Sequence, residues 1–541
     1  MDQNQDQNQA QADMELQPAA NQEVPTSQAE PQCPAADADA TEADVSEVVL
    51  DQDQEKQPMT GAGDAAQAAE GEKNGFVKVK MEEEEEKFTG LNKEELLRVA
   101  GTPGWVRTRW ALLVLFWLGW LGMLSGAVVI ILQAPRCRDL PATYWWNQGP
   151  LYQIGRVQSF TDAGNLKGVQ HKVDALSKLK VKGLVIGPIH VAPPDDAMNL
   201  SFEEVSPDTG SLEQFKDLLH TTHRKGMMVV LDLTPNYRGS TGAWFSKVSV
   251  TVVAEKLKSA LVFWFNQGVD GVQLSEVEHV AAMVPSLWAD IRAIVQNGTN
   301  ERPAKRVLMG VTENRSARDV SDLLSSTGVD LLTSNVLLPA DLPEYAQSIW
   351  HLYSAHDQSQ LAWNVGGRDD GHLASLSGPA LVRLYQLFLF TLPGTPVLNY
   401  GDEIGLMDED TKFPKMLWDS EEELNGTLQE ERERRMSCRS FFHSLSELRG
   451  KERSLLFGDF VPLFNSSSSL AYMRIWDQST RYLAAVNWAD QEAKLELIHE
   501  ALPPQADVVL ATNVSVDTTM NPARLHLGAR EAVLLKFPYA A

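Results

Sequence analysis

The chain has 541 residues, with 73 Asp and Glu against 47 Lys and Arg, and a formal charge of −26. So acidic a chain lacks the cationic footprint that nucleic-acid binding needs. Its three cysteines cannot build a disulfide framework, so stability must come from a buried core.

The charge is uneven. Residues 1–109 hold 24 acidic and 9 basic side chains, a net of −15, which leaves −11 for the rest. Residues 1–80 are rich in Gln, Ala, Asp and Glu and poor in aromatics. They cannot bury enough apolar surface to offset ordering entropy and are predicted to be disordered. Glu82–Glu86 is a charge run, read either as a solvated tail or as an ionic docking segment. A short helix is expected next. Asn92 is its N-cap, Glu95 takes the capping-box position, Leu91 staples to Leu96, and Gly101 and Pro103 end it.

Trp110–Leu132 is 23 residues without charge or proline. About 20 apolar residues suffice to cross a bilayer core as a helix. It begins too far into the chain, and runs too long, for a cleaved signal peptide, so it is predicted to be an anchor. Trp105, Trp110, Trp117 and Trp120 crowd one half of it, as an interfacial belt does. Gly119, Gly122 and Gly126 share a helical face, read either as a packing face for another helix or as glycine merely tolerated in lipid. Lys93, Arg98, Arg107 and Arg109 precede the span, and only Arg136 and Arg138 follow closely, which predicts a cytosolic N-terminus. Six N-x-S/T sequons agree with that orientation: Asn199, Asn297, Asn314, Asn425, Asn465 and Asn513 all follow the span. The expected plan is a cytosolic tail over 1–109, a transmembrane helix over 110–132 and an extracellular stalk over 133–143.

Cys137 lies five residues beyond the span, on the oxidising side. An unpaired cysteine there suggests an intermolecular bond. An internal bond to Cys438 is the other pairing, although Cys438 shares a helical face with Phe441, Phe442, Leu445 and Leu448, as a buried thiol would. Cys33 lies on the cytosolic side and is expected to stay reduced.

From 144 to 452, strand-like and helix-like runs alternate. The strand candidates are Leu151–Val157, Gly183–Ile189, Met227–Thr234, Gly271–Leu274, Arg306–Val311, Val329–Ser334, Gln360–Val365 and Pro396–Tyr400. Amphipathic stripes over Asn165–Lys180 and Ser211–Lys225, and a helix-like run from Thr251 to Gly268, fall between them. Eight strands alternating with helices predict an α/β fold, a (β/α)8 barrel. From 453 to 541 the texture becomes short alternating runs without helical period, predicting a small antiparallel β-sandwich domain. Its strand candidates are Ser454–Phe464, Leu470–Trp476, Tyr482–Asn487, Asp507–Leu510 and Ala532–Phe537.

Three motifs resemble the α-amylase-type glycoside hydrolases: YQIGRVQSFTD at 152–162, LDLTPNY at 231–237 and LPGTPVLNYGDEIG at 392–405. The resemblance implies a barrel followed by an antiparallel β domain. It also implies retaining hydrolysis by two carboxylates about 5 Å apart, one nucleophile and one acid/base. The positions that match those motifs are degenerate. Asp232 and Asn236 remain at the third strand, but the family's histidine is Tyr237. At the fourth strand the arginine is Gln273 and the nucleophilic aspartate is Ser275. The fifth-strand glutamate is Val311, with Glu313 two residues on, and the Asn-His-Asp triplet is Gly367-Arg368-Asp369. A serine without an adjacent base is a poor substitute for a carboxylate nucleophile. Only Arg238–Val250 separates the third strand from its helix, too little for the family's lid domain and its calcium ligands. No cofactor or metal is therefore expected. A membrane-anchored α-glucosidase-type hydrolase using Asp232, Asp369 and Glu313 is the alternative reading.

The whole plan resembles the heavy chains of heteromeric amino acid transporters. The similarity is carried by WVRTRWALL and LFWLGWLGM in the span, APRCR in the stalk, VKGLVIGPIH and LDLTPNYRG in the barrel, and the final FPYAA. It implies a non-catalytic subunit of the plasma membrane that is disulfide-linked through Cys137 to a multi-span light chain, which it would traffic and stabilise. Association with an integrin β subunit is implied as well.

Overall fold

The computed structural model describes residues 92–133, 138–246, 249–297, 305–339, 345–418, 426–513 and 518–539. Leu91, the Glu82–Glu86 run, Cys33, Cys137 and Asn425 lie outside the described residues.

Helix α1 is Lys93–Ala100. Asn92 caps it by accepting from the Lys93 N–H at 3.1 Å, rather than from the third-residue N–H that a capping box uses. Helix α2 runs Pro103–Gln133, seven residues further upstream than the expected start at Trp110. Proline fits the first helical position because its missing N–H has no partner there anyway, so Pro103 opens this helix as well as closing the previous segment. None of its residues is buried, and among the described residues it is the one helix long and apolar enough to cross a membrane.

The barrel strands are β1 Leu151–Ile154, β2 Gly183–Ile186, β3 Met228–Asp232, β4 Gly271–Ser275, β5 Val307–Val311, β6 Leu331–Thr333, β7 Ala362–Trp363 and β8 Thr395–Asn399. All neighbours are parallel, in the order β6-β5-β4-β3-β2-β1-β8-β7, and a single parallel bridge from Leu332 to Leu361 brings the two edges together. The crossovers include α3 Leu166–Lys178, α4 Leu212–Arg224, α5 Val250–Gln267, α6 Pro285–Gln296, α7 Ala317–Thr327, α8 Tyr345–Ala355 and α9 Val382–Thr391, with α10 Thr427–Lys451 after β8. Local signals place their ends. Asn165 caps α3 through the Gly168 N–H, Ser211 and Gln214 form a capping box on α4, and Gly268 closes α5 at φ +108°.

Strand periodicity separates two cores. Tyr152, Ile154, Leu184, Ile186, Val229, Leu231, Val272 and Leu274 point outward and pack under the helices. Their alternates Leu151, Val185, Val230, Val307, Met309, Leu331, Ala362 and Val397 fill the barrel interior, with Trp146 stacked beneath.

Several boundaries differ from expectation. The first strand stops at Ile154, because Val157–Phe160 forms a helical turn. The seventh is only two residues long. The run from Ser454 begins as a helical turn, Arg453–Leu456, and pairs as a strand only from Asp459. A hairpin of His190–Val191 with Ser201–Val205 follows β2 and was not anticipated.

The C-terminal sheet consists of β9 Asp459–Asn465, β10 Ser469–Ile475, β11 Arg481–Asn487, β13 Ala506–Ala511, β14 Thr519–Met520 and β16 Ala532–Phe537, in antiparallel order β9-β10-β11-β16-β13-β14. A short pair, β12 Ala493–Glu496 with β15 Arg524–Leu527, forms the second layer. One face, Tyr472, Tyr482, Ala484, Val486 and Leu534, joins the barrel core. The other, Ala471, Met473, Leu483, Ala485, Val533 and Leu535, packs with Leu495, Leu525 and Leu527. The sandwich is thus clamped between the barrel and its own small second layer.

Two buried arginines, one from α10 and one from the sandwich, converge on the end of α9. The last carbonyls of a helix lack intrahelical donors and carry partial negative charge. At the end of α9, Arg449 of α10 donates to the carbonyls of Phe390 (2.5 Å), Leu392 (3.0 Å) and Gly394. Arg474 of β10 donates to the carbonyl of Thr391 at 2.8 Å and of Gly458 at 2.8 Å. Burial pushes both guanidinium groups down, to about 9 for Arg449 and about 10 for Arg474, which leaves both charged at neutral pH.

Candidate functional site

Side chains two residues beyond the apolar interior layer face the C-terminal mouth of the barrel, and here the layer turns polar: Gln153, Asp232, Gln273, Thr333 and Asn399. With Ser275, Glu276, Glu313, Asn335, Asn364, Arg368, Asp369 and Asp370, several of these line a cleft of about 300 Å3. This is the end at which barrel enzymes keep their chemistry.

Asp232 sits at the centre and is fully buried. One carboxylate oxygen accepts from the Thr234 N–H (2.9 Å) and hydroxyl (2.6 Å), the other from Gln273 Nε2 (3.0 Å) and Arg368 (3.3 Å). Burial raises its pKa, while Arg368 and Thr234 pull the other way. Arg368 is the residue that decides what the cleft can do. Its guanidinium also forks onto Asp369, at 3.2 and 3.0 Å, and its stem lies over Gly155, where an added Cβ would meet Arg368 Cγ at 3.0 Å. It therefore lies across the floor of the mouth, bound to two carboxylates. The backbone of Asp369 is in turn held by Lys412.

Ser275 Oγ is 3.0 Å from Thr234 Oγ1, and its carbonyl accepts from Trp244 Nε1 at 2.8 Å. The hydroxyl chain ends on Asp232, already engaged by Arg368, so no free base reaches Ser275 through it. Tyr237 also lines the cleft, but its hydroxyl is engaged: it donates to the His190 carbonyl at 2.9 Å, and burial raises its pKa. Burial also lowers His190 to about 3, so that ring stays neutral at physiological pH. Val311 ends β5 at the cleft wall, and Glu313 stands exposed at the rim. The structure thus gathers Asp232, Tyr237, Gln273, Ser275, Val311, Arg368 and Asp369 around one mouth. Among the described residues, no group of three or more His, Cys, Asp or Glu is placed to hold a metal ion.

Asp195 was missed at the sequence level. It accepts from Asn236 Nδ2 (2.9 Å), from the Ser240 N–H and hydroxyl, and from the Thr241 N–H and hydroxyl (2.7 Å). It thereby fastens the 190–205 hairpin to the loop after β3. These bonds, led by Asn236, hold its carboxyl well below the usual carboxylate range. A depressed pKa contributes stability above the unfolded value and loses it as pH falls through the folded one. Asp195→Ala is therefore expected to speed amide exchange across the hairpin at pH 7. The difference from the parent should begin to shrink below about pH 4, the unfolded value, and close only as pH falls through the depressed folded value, where the parent loses the same bonds.

Of the other marked positions, Gly119, Gly122 and Gly126 have no atom within 4 Å of where a Cβ would stand. Asn199, Asn297, Asn465 and Asn513 are exposed, whereas Asn314 is half-buried with its amide donating to Thr312 Oγ1 at 3.0 Å. Cys438 is free and buried, against Gln386 Nε2 at 3.4 Å, and burial raises its thiol to about 11.

Residues 76–152 match the family described as solute carrier family 3 member 2 N-terminus, and 153–252 match the alpha amylase catalytic domain. The amino acid transporter heavy chain SLC3A2 of Oryctolagus cuniculus is 43% identical over 93% of this chain and 99% of its own. The chain belongs to the family of amino acid transporter heavy chains. The heavy chain SLC3A1 of Mus musculus is 23% identical over 83% of this chain and 86% of its own. Among solved structures, trehalulose synthase MutB of Pseudomonas mesoacidophila superposes with a TM-score of 0.59 at 17% identity, over 73% of this chain and all of that one. That likeness is one of fold. The family membership, together with one apolar helix near the N-terminus, indicates a membrane protein.

Proposed function

We propose that the chain is the non-catalytic heavy subunit of a heterodimeric amino acid transporter, of type II orientation in the plasma membrane. It would bind a multi-span light chain through Cys137 and membrane contacts, and traffic and stabilise it. The observation that carries this reading is the extent of the family likeness, which runs through anchor, barrel and sandwich alike, over 93% of the chain. One helix cannot form a polar pathway through lipid, but it can pack beside a protein that does. The open face at Gly119, Gly122 and Gly126 leaves room for such a neighbour. The family likeness extends the proposal to an integrin β subunit. Exposed Asn199, Asn297, Asn465 and Asn513 are sterically suited to carry glycans on the outer side.

The barrel supports the non-catalytic part. Where the hydrolases need a carboxylate nucleophile there is Ser275, and the remaining Asp232 is neutralised by Arg368. Purified protein is expected to release no chromophore from an aryl α-glucoside above background, and Glu313→Gln to behave identically; turnover abolished by that substitution would reinstate the hydrolase reading. For the cross-link, non-reducing electrophoresis of membranes should resolve a heavier species that collapses on reduction and is missing in Cys137→Ser. Its absence in the parent chain would refute the linkage.

A further inference from the structure

We propose that the barrel mouth binds, without turning it over, a small protonated amine that carries hydroxyl groups. The cleft is unbalanced in charge. Glu276, Glu313, Asp369 and Asp370 line it, against the guanidinium of Arg368. Arg368 is already spent on Asp232 and Asp369, and Glu276, Glu313 and Asp370 pair with no cation among the described residues. Glu276 accepts from the Ala243 N–H at 3.2 Å and Asp370 from Asn335 Nδ2 at 3.1 Å. The second oxygen of each has no partner among the described residues. Glu276 also holds a left-handed backbone, at φ +51°, a strain of the kind that collects at binding sites.

Two buried amides open onto the same space. Gln153 is 9% exposed and lines the cleft, yet its side chain has no hydrogen-bond partner among the described residues. Buried polar groups are normally paired, so an open amide at a cavity wall marks a place that a ligand completes. A Cβ at Gly367 would stand 3.6 Å from Gln153 Oε1, and glycine there keeps the approach clear. Gln273 gives Nε2 to Asp232 at 3.0 Å and keeps its Oε1 for the cleft.

These features select the ligand. Among the described residues no three carboxylates or imidazoles are placed to hold a metal ion, so the charge calls for an organic cation. An ammonium group brings a positive charge and three donors to carboxylates that can only accept. In a partly buried cleft that attraction is several times its strength in water. Hydroxyl groups suit the amides, which both donate and accept. A volume of about 300 Å3 is at the low end of ligand pockets and limits the occupant to a small molecule. Ser275 has no free base, so what binds is held rather than cleaved.

The test titrates the full chain in detergent with glucosamine by calorimetry. Glucose and N-acetylglucosamine serve as neutral counterparts, and ethylamine as the charge without hydroxyls. Glucosamine is expected to bind about tenfold more tightly than any of the three. Asp370→Asn and Gln153→Leu should each weaken it fivefold or more. Gln153→Leu should keep or raise the unfolding midpoint, because it removes an unpaired buried amide; a purely structural glutamine would lower it. If Asp370→Asn does not fold, Glu276→Gln takes its place, with the same loss expected. Glucose binding as tightly as glucosamine, or no saturable glucosamine binding at all, would overturn the proposal. Either result leaves the heavy-subunit reading standing, since that rests on the family likeness and not on the cleft.

Discussion

Replacing Arg449 by methionine is expected to lower unfolding stability by about 3–5 kcal/mol. The substitution leaves the carbonyls of Phe390, Leu392 and Gly394 buried without their donor. Each orphaned buried polar group costs about 1–3 kcal/mol, and methionine returns only part of this as apolar packing. The helix end also loses the cation that opposes its partial negative charge. The check is the denaturant midpoint of the whole chain in detergent, with Arg530→Ala as comparison. Arg530 pairs with Asp490 at the surface, both side chains largely exposed, and removing such a pair shifts stability by less than about 1 kcal/mol. Equal effects from the two substitutions would show that Arg449 does not stabilise the α9 terminus.

Asp232→Leu should cost about 3 kcal/mol, by a different route. It strands the Arg368 guanidinium, whose side chain is only 9% exposed, with Asp369 as its remaining partner. Breaking a buried ion pair from one side leaves an uncompensated charge, whereas removing both partners together is often close to neutral. The double substitution Asp232→Leu, Arg368→Met should therefore recover most of the loss. On the proposed reading Asp232 is a counter-ion, so its replacement should leave light-chain surface delivery intact in proportion to the folded fraction. Additive losses in the double variant would show that Arg368 and Asp232 do not depend on each other.

Much of this architecture was readable from residue order. The barrel strands are apolar on both faces, so each appears as a short Val/Leu run between helical stripes, as at Gly183–Ile186 and Met228–Asp232. Caps at Asn165 and Ser211 set helix starts by side-chain chemistry that leaves a local signature. What escaped were pairings too short to have a period. The 190–205 hairpin and the β12–β15 pair have strands of two to five residues, and their register is fixed by what they pack on. At the candidate site the loss of the nucleophile was legible at Ser275, because it is a matter of residue type. The placement of Arg368 across the mouth was not, since a loop side chain's direction depends on Asp232, 136 positions away. The substitution of arginine at a position where the hydrolases keep a histidine was the available hint. Tyr237 lines the cleft as its motif position suggests, but that its hydroxyl is spent on the His190 carbonyl was not legible.

The terminus of α9 is a shared property line. Arg449 precedes the sandwich in the chain and Arg474 belongs to it, yet both donate to neighbouring carbonyls at the end of the barrel's last crossover. A polypeptide cut after residue 452 would keep all eight barrel strands and still forfeit one of the two cations that finish α9, together with the sheet face that covers Phe388. Residue order divides the chain after the apolar helix into two modules, a barrel and a sheet. Heat or denaturant should find a single one, melting in one transition.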